Sequence, residues 1–337
     1  VSAARAELIA DSGAAAAGKD FFRSRPFLEA EGVTHTLRIT QTDAAELLAP
    51  LIVRPIGDGP ESDAISPYGY PGLAPPDSVR TFHAYTRKSA NAPEGPAGDV
   101  AGATPPPLDP ASVDFSATGL VSVFLRHALG PAPLAGATER NLVQIADPAL
   151  PPKSRPSDRR QVRRNLEAGY ALSLVPGAET TPAQRAGFLD LYEQTMRRTE
   201  AARHYFFAAA YFDLILAAER TWLALAQAPD GALAAASIAV VSDGYLHYYL
   251  SGSADSHLSD SPMKNILALL IDHAATLALP LNLGGGIVPG DALEEFKRGF
   301  ANRQEPFLTS ELICDPKTYA HLSTGREAGT FFPAYRA

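Results

Sequence analysis

The stretch Leu283-Gly284-Gly285-Gly286, followed by Asp291-Ala292-Leu293-Glu294-Glu295-Phe296-Lys297-Arg298-Gly299-Phe300, decides how the rest of the chain is read. An apolar run beginning at Leu277 ends in three glycines, and a short amphipathic segment with adjacent cations, Lys297 and Arg298, follows. Strand, glycine turn and cationic helix in that order predict a site for an anion or a developing oxyanion. Glycine lets a ligand approach the backbone closely, and a helix N-terminus with nearby cations favours negative charge. The same spacing also fits a tight turn beside a solvated Lys-Arg pair, so the neighbouring segments must decide.

Those segments are regular. Ala171 to Val175 reads as a strand, and Pro182 to Arg198 as a helix with Thr181 at its N-cap. Ala208 to Glu219 reads as a second helix. Trp222 to Ala228 and Leu233 to Val241 flank the turn Pro229-Asp230-Gly231, and Tyr245 to Ser251 follows Ser242-Asp243-Gly244, which predicts a three-stranded antiparallel meander. Ser261-Pro262 opens a helix to about Leu277, the strand into the glycines follows, then the cationic helix and a strand from Pro306 to Cys314. The order predicts an α/β (α+β) layout with a mixed sheet.

The first half is less regular. Strand-like Thr34 to Thr40, a short helix from Asp43 to Leu48, and strand-like Leu51 to Pro55 precede Ile65-Ser66-Pro67-Tyr68-Gly69-Tyr70-Pro71-Gly72, whose prolines and glycines demand a structured turn. Leu120 to Leu125 fits a buried strand ending at Arg126-His127. Residues 93–110, rich in Pro, Gly and Ala, read as a flexible surface insertion. From Lys153 to Arg164, six cations face one carboxylate, Asp158. That segment is either a solvated helix packing through Val162 and Leu166 or a patch for a polyanion.

At 337 residues, two domains are expected: 1–150, and 151–315 with a tail, 316–337, packing back on the first. A net charge of −8 argues against a general nucleic-acid binder. The lone Cys314 excludes an internal disulfide and reads as a small core residue. The first twenty residues lack the pattern of a signal peptide, no apolar run reaches membrane-spanning length, and a cytoplasmic setting is expected. The eight histidines show no metal-ligand spacing and no phosphate loop occurs, so neither a metal nor a cofactor is expected.

Taken in order, Ser66 to Gly72, Val121 to Arg126, Arg163-Arg164-Asn165-Leu166, Tyr192 to Arg198, Tyr205-Phe206-Phe207 with Tyr211-Phe212, His247 to Gly252, the glycine turn and Asp291 to Phe300 resemble the FemABX family of aminoacyl-tRNA-dependent transferases. The resemblance implies two GNAT-like domains with mixed central sheets, in a compact member without the tRNA-contacting helical arm. It implies that an acceptor amine attacks an aminoacyl-tRNA ester and forms an amide, on a small peptide, nucleoside natural product or peptidoglycan precursor. Lys297 then stands where similar enzymes hold a lysine near the ester, with Gly284, Gly285, Gly286, Phe296 and Arg298 on the donor side. Tyr68, Tyr70, Arg126, Arg198, Tyr211 and Tyr248 would line the acceptor cleft. Arg159, Arg160, Arg163 and Arg164 would meet the tRNA.

Two other readings share this fold. An acyl-CoA-dependent N-acetyltransferase would carry an Arg/Gln-x-x-Gly-x-Gly/Ala loop for the donor's pyrophosphate, and Ser251-Gly252-Ser253-Ala254-Asp255-Ser256-His257-Leu258 lacks that spacing. A catalytically silent binding module would have no need of Lys297. Asp213, Glu219 and Asp291 are the carboxylates nearest the motifs, with Asp291 placed to cap a helix.

Overall fold

The computed structural model describes residues 4–16, 20–41, 46–76, 106–326, 329 and 331–337. The first half supplies β1 (Ala4–Ile9), α1 (Arg25–Ala30), β2 (His35–Thr40), β3 (Leu47–Pro55), β4 (Ser62–Ile65), β5 (Val113–Asp114), β6 (Ser122–Arg126) and β7 (Thr138–Ala146). The second half supplies α2 (Pro156–Glu167), β8 (Ala171–Pro176), α3 (Pro182–Arg198), α4 (Ala209–Leu216), β9 (Thr221–Gln227), β10 (Leu233–Ser242) and β11 (Tyr245–Ser253). It continues with α5 (Met263–Thr276), β12 (Leu281–Gly284), α6 (Ala292–Arg298), β13 (Arg303–Ile313) and α7 (Pro316–Leu322).

The strands of both halves join in one mixed sheet of 13 strands, ordered β5-β1-β2-β3-β4-β6-β13-β7-β12-β11-β10-β9-β8. The two central sheets expected from the sequence are therefore continuous. The join is β13, which pairs antiparallel with β6 on one side and with β7 on the other. The last residues return to the first half, where the Tyr335 hydroxyl meets Ser122 at 2.8 Å and Asp63 at 3.2 Å.

Alternation along the strands sorts the second half into two cores. Leu223 and Leu225 of β9, with Ala236, Ile238 and Val240 of β10, pack under α1, α3 and α4. Ala224, Ala226, Ala235, Ala239 and Val241 face α5 instead, with Ile266, Leu267 and Leu270. Helix α3 starts at the expected Thr181, whose hydroxyl accepts from Gln184 N while the Gln184 side chain accepts from Thr181 N. It lies so close on β11 that a Cβ on Gly252 would come within 2.4 Å of the Leu191 carbonyl carbon.

Two expectations are corrected, and one strand was not anticipated. Leu47 and Leu48 open strand β3, paired with β2 through Leu48↔Arg38 and Leu47↔Ile39, in place of the end of a helix; Ala49 and Leu51, wholly buried, give the segment a strand's alternation. Helix α2 docks by polar groups: Asp158 meets Lys264 at 2.8 Å, and Asn165 Nδ2 donates to Asn265 Oδ1 at 2.7 Å, while Leu166 is exposed. Residues 138–146, which carried no strand signal because Thr138, Glu139 and Arg140 are exposed and polar, form β7. Of the insertion expected at 93–110, residues 93–105 lie outside the described residues.

Candidate active site

Strands β11 and β12 run parallel but pair only at Leu246↔Leu281 and His247↔Asn282. Beyond those pairs β12 turns into the glycines, while β11 continues to Ser253 alongside β10 alone. His247, Asn282, the glycine turn and Lys297 meet where the two strands part. Tyr249 sits at a bulge in β11, since Leu250 pairs with Ile238 and Tyr248 with Ala239. A bulge re-aims the side chain it carries. Tyr248 packs into the α5 core by ordinary alternation, and the bulge leaves both Tyr249 and Leu250 on the side of the α1 core.

A buried polar relay shapes the glycine turn. His247 Nε2 donates to Ser242 O at 3.2 Å, which leaves Nδ1 to accept from Asn282 Nδ2 at 3.0 Å. Asn282 Oδ1 in turn accepts from Gly284 N at 2.8 Å. Burial holds the imidazole neutral, pushing its pKa down to about 4. The Tyr70 ring lies 5.0 Å from that of His247. Gly284, held at φ +78, admits no ordinary side chain, and a Cβ there would press on Lys297 Nζ at 3.1 Å.

Lys297, on the inner face of α6, is 8% exposed and donates from Nζ to Gly285 O at 2.7 Å. Burial pulls its pKa down to about 8, against the opposing pull of the Asp291 carboxylate. An ammonium in this position keeps further donors for an acyl oxygen. The α6 N-terminus itself is closed to ligands: Asp291 Oδ1 accepts from Glu294 N at 2.8 Å, and Oδ2 from Ile287 N and Val288 N at 2.6 and 3.1 Å. The open helix-terminal anion site expected from the sequence is thus occupied by the chain's own carboxylate. Arg298 pairs with Glu294 and Glu295, whereas Lys297 is turned to the glycines. Phe296 packs with Phe300 in the α5 core, behind the lysine. Gly285 and Gly286 are also close-packed; a Cβ would lie 2.8 Å from Asn141 Nδ2 at the first and 2.4 Å from Asp291 Oδ1 at the second.

The residues expected around the acceptor divide. Tyr68, Arg126 and Tyr211 gather at the end of α1, around Glu31, which had no sequence signal. Tyr70 joins them through Phe22, whose ring lies 5.5 Å from both Tyr70 and Tyr249. Tyr248 is on the opposite face, its hydroxyl 2.6 Å from Ser251 Oγ. Arg198 is engaged by Asp255, Thr195 Oγ1 and Ser253 O, and braces the turn after β11. Of the carboxylates near the motifs, Asp213 pairs with Arg185 at 2.9 Å. Cys314 is half-buried, its thiol pushed up to about 12 by burial.

Four amides in and just before the turn after β11 are taken within the fold. Ser253 N donates to Thr195 Oγ1 at 3.0 Å, Ala254 N to Ala234 O at 2.9 Å, Asp255 N to Gln194 Oε1 at 3.1 Å, and His257 N to Ala254 O at 3.1 Å. On the far side of α6, Arg155 donates to Glu295 O at 3.0 Å, tying α2 to the lysine helix. The side chains of Arg159, Arg160, Arg163 and Arg164 are exposed along α2. Among the described residues no helix is long and apolar enough to cross a membrane.

Residues 152–298 match a family model described as an acetyltransferase (GNAT) domain. No curated relative matches the chain. Among solved structures, FemX is similar over 93% of this chain and 97% of its own, at 11% identity and a TM-score of 0.58. L-PGS from Bacillus licheniformis is similar over 88% and 94%, at 11% identity and a TM-score of 0.51. The C-terminal domain of a putative lysylphosphatidylglycerol synthetase from Agrobacterium fabrum is similar over 85% and 86%, at 11% identity and 0.53. Residues 152–298 are thus similar to a GNAT domain, and the chain as a whole shares the fold seen in FemX.

Proposed function

We propose that this chain is an amide-forming aminoacyltransferase that takes its amino acid from aminoacyl-tRNA. The observation that carries the choice of donor is the closed turn after β11. Its amides at Ser253, Ala254, Asp255 and His257 are consumed by Thr195, Ala234, Gln194 and Ala254, and the carboxylate of Asp255 stands among them. A pyrophosphate needs such amides unpaired and such a carboxylate elsewhere. An aminoacyl ester needs neither.

The remaining chemistry is modest. An amine attacking an ester chiefly requires alignment and a partner for the tetrahedral oxyanion. Lys297, buried at the glycine turn, supplies that partner. The acceptor nitrogen loses a proton, the ester C–O bond breaks, and the departing tRNA oxygen gains one. The exposed arginines of α2, tied to α6 through Arg155, give the tRNA backbone a cationic approach to the same lysine. Binding tests the donor directly: titration with deacylated tRNA should give saturable, salt-dependent association, and coenzyme A should give none. Saturable binding of coenzyme A without tRNA binding would favour an acyl-CoA-dependent enzyme.

A further inference from the structure

The polar cluster at the end of α1 is not used by the donor chemistry. Glu31, the residue closing that helix, accepts at Oε1 from the Tyr211 hydroxyl at 2.8 Å and at Oε2 from Tyr68 N at 3.0 Å. Because Tyr211 donates to Glu31, the Tyr249 hydroxyl 2.7 Å away must donate to Tyr211. The donors thus run one way and end on the carboxylate, and each carboxylate oxygen keeps a lone pair for a ligand. Burial raises the Glu31 carboxyl, opposed by those hydrogen bonds and by Arg126.

Around this carboxylate stand aromatic faces. The Tyr68 ring lies 6.1 Å from Tyr205 and 6.2 Å from Tyr249, and Tyr68 is 41% exposed, so the cluster is open on that side. Tyrosine faces beside a carboxylate favour an ammonium. Arg126 is close enough to act on Glu31 and Tyr68 electrostatically, yet among the described residues it makes no ion pair within 4.0 Å. Its guanidinium is instead fixed by donation to Ser66 O at 2.6 Å and by the Phe124 ring, 5.3 Å away. Two opposite charges are therefore held near each other without neutralising each other.

Resting on the acyltransferase reading, we propose that Glu31 and Arg126, walled by Tyr68, Tyr205 and Tyr249, form the acceptor's recognition site, which takes a primary ammonium with an anionic group beside it. Glu31 receives the ammonium and Arg126 the anion. A free amino acid, with its carboxylate, and an aminoalkyl phosphate both have this chemistry.

Four small probes separate the parts: glycine, 2-aminoethyl phosphate, ethylamine and acetate, titrated into the full chain without donor and followed by NMR. Glu31→Gln should weaken the three ammonium-bearing probes at least tenfold and leave acetate unchanged. Arg126→Met should weaken the three anion-bearing probes and leave ethylamine unchanged. Tighter binding of glycine than of 2-aminoethyl phosphate assigns a carboxylate to the Arg126 side, and the reverse assigns a phosphate. Failure of the wild-type protein to bind any probe, or equal loss of all four in both variants, would overturn the proposal. Since no donor is present, transfer from tRNA could persist while this proposal falls, and probe binding could persist if the donor proves to be acyl-CoA.

Discussion

Lys297 Nζ and the carbonyl oxygen of Gly285 are 2.7 Å apart, and that contact couples the helix carrying the lysine to the turn that ends β12. It fixes an ammonium where almost no solvent reaches it. Removing the amine with Lys297→Met should lower the single-turnover rate by roughly a hundredfold, the usual effect of losing one oxyanion donor. Rapid-quench measurement of transfer checks this. A rate within threefold of wild type would remove Lys297 from the chemistry.

The same burial costs stability. A lysine held at a pKa of about 8 instead of 10.5 is disfavoured in its charged form by the fold, on the order of 3 kcal/mol at neutral pH. The folded value is the lower one, so the unfolded chain binds more protons between about 8 and 10.5, and stability should rise as pH rises through that window. Lys297→Met should therefore melt higher than wild type at pH 7 and lose that dependence. Thermal unfolding across pH checks both, and a lower melting temperature at pH 7 would show that the Gly285 contact outweighs the desolvation cost.

Activity should follow the opposite course at high pH. If the charged lysine stabilises the oxyanion, kcat/KM should fall as pH rises through about 8. Lys297→Arg, which stays charged, should retain less activity but lose this descending limb. An unchanged limb in the arginine variant would assign it to another group.

Asn282 is expected to act through the turn. Asn282→Leu leaves Gly284 N and His247 Nδ1 without their buried partners, at 2.8 and 3.0 Å in the native protein. The cost should be about 1–3 kcal/mol per unsatisfied group. Activity should fall further than the folded fraction accounts for, because the Lys297 anchor moves with the turn. Chemical denaturation alongside rate measurement distinguishes the two effects.

The arginines of α2 should behave as a surface for a polyanion. Arg159, Arg160, Arg163 and Arg164 are exposed, so replacing all four with Gln should leave the melting temperature nearly unchanged. The KM for charged tRNA should rise, and the slope of log affinity against log salt should drop by up to about 3. An unchanged slope would return α2 to an ordinary solvated helix.

The second half of the fold was legible because its strands and helices alternate with clear turn residues and caps. Thr181 announces α3, Asp291 announces α6, and the meander is marked by Pro229-Asp230-Gly231 and Ser242-Asp243-Gly244. Lys297 and its glycines were legible as a local motif. Strand β7 was not, because its polar first residues mask the period, and its role depends on partners far along the chain, β12 and β13. Glu31 was equally hidden: it follows a six-residue helix, and only the fold brings it to Tyr211, 180 positions away. Tyr248 parted from the other acceptor residues by ordinary strand alternation, which turns it to the α5 core while its neighbours His247 and Tyr249 face Phe22.

The most direct test of the account is label transfer. The protein is mixed with isotopically charged aminoacyl-tRNAs and a pool of small amines, with labelled acetyl-CoA in a parallel reaction. Label passing from tRNA into an RNase-resistant amide, abolished by Lys297→Met, is the predicted result. Acetyl-CoA consumption with every charged tRNA left intact would contradict it.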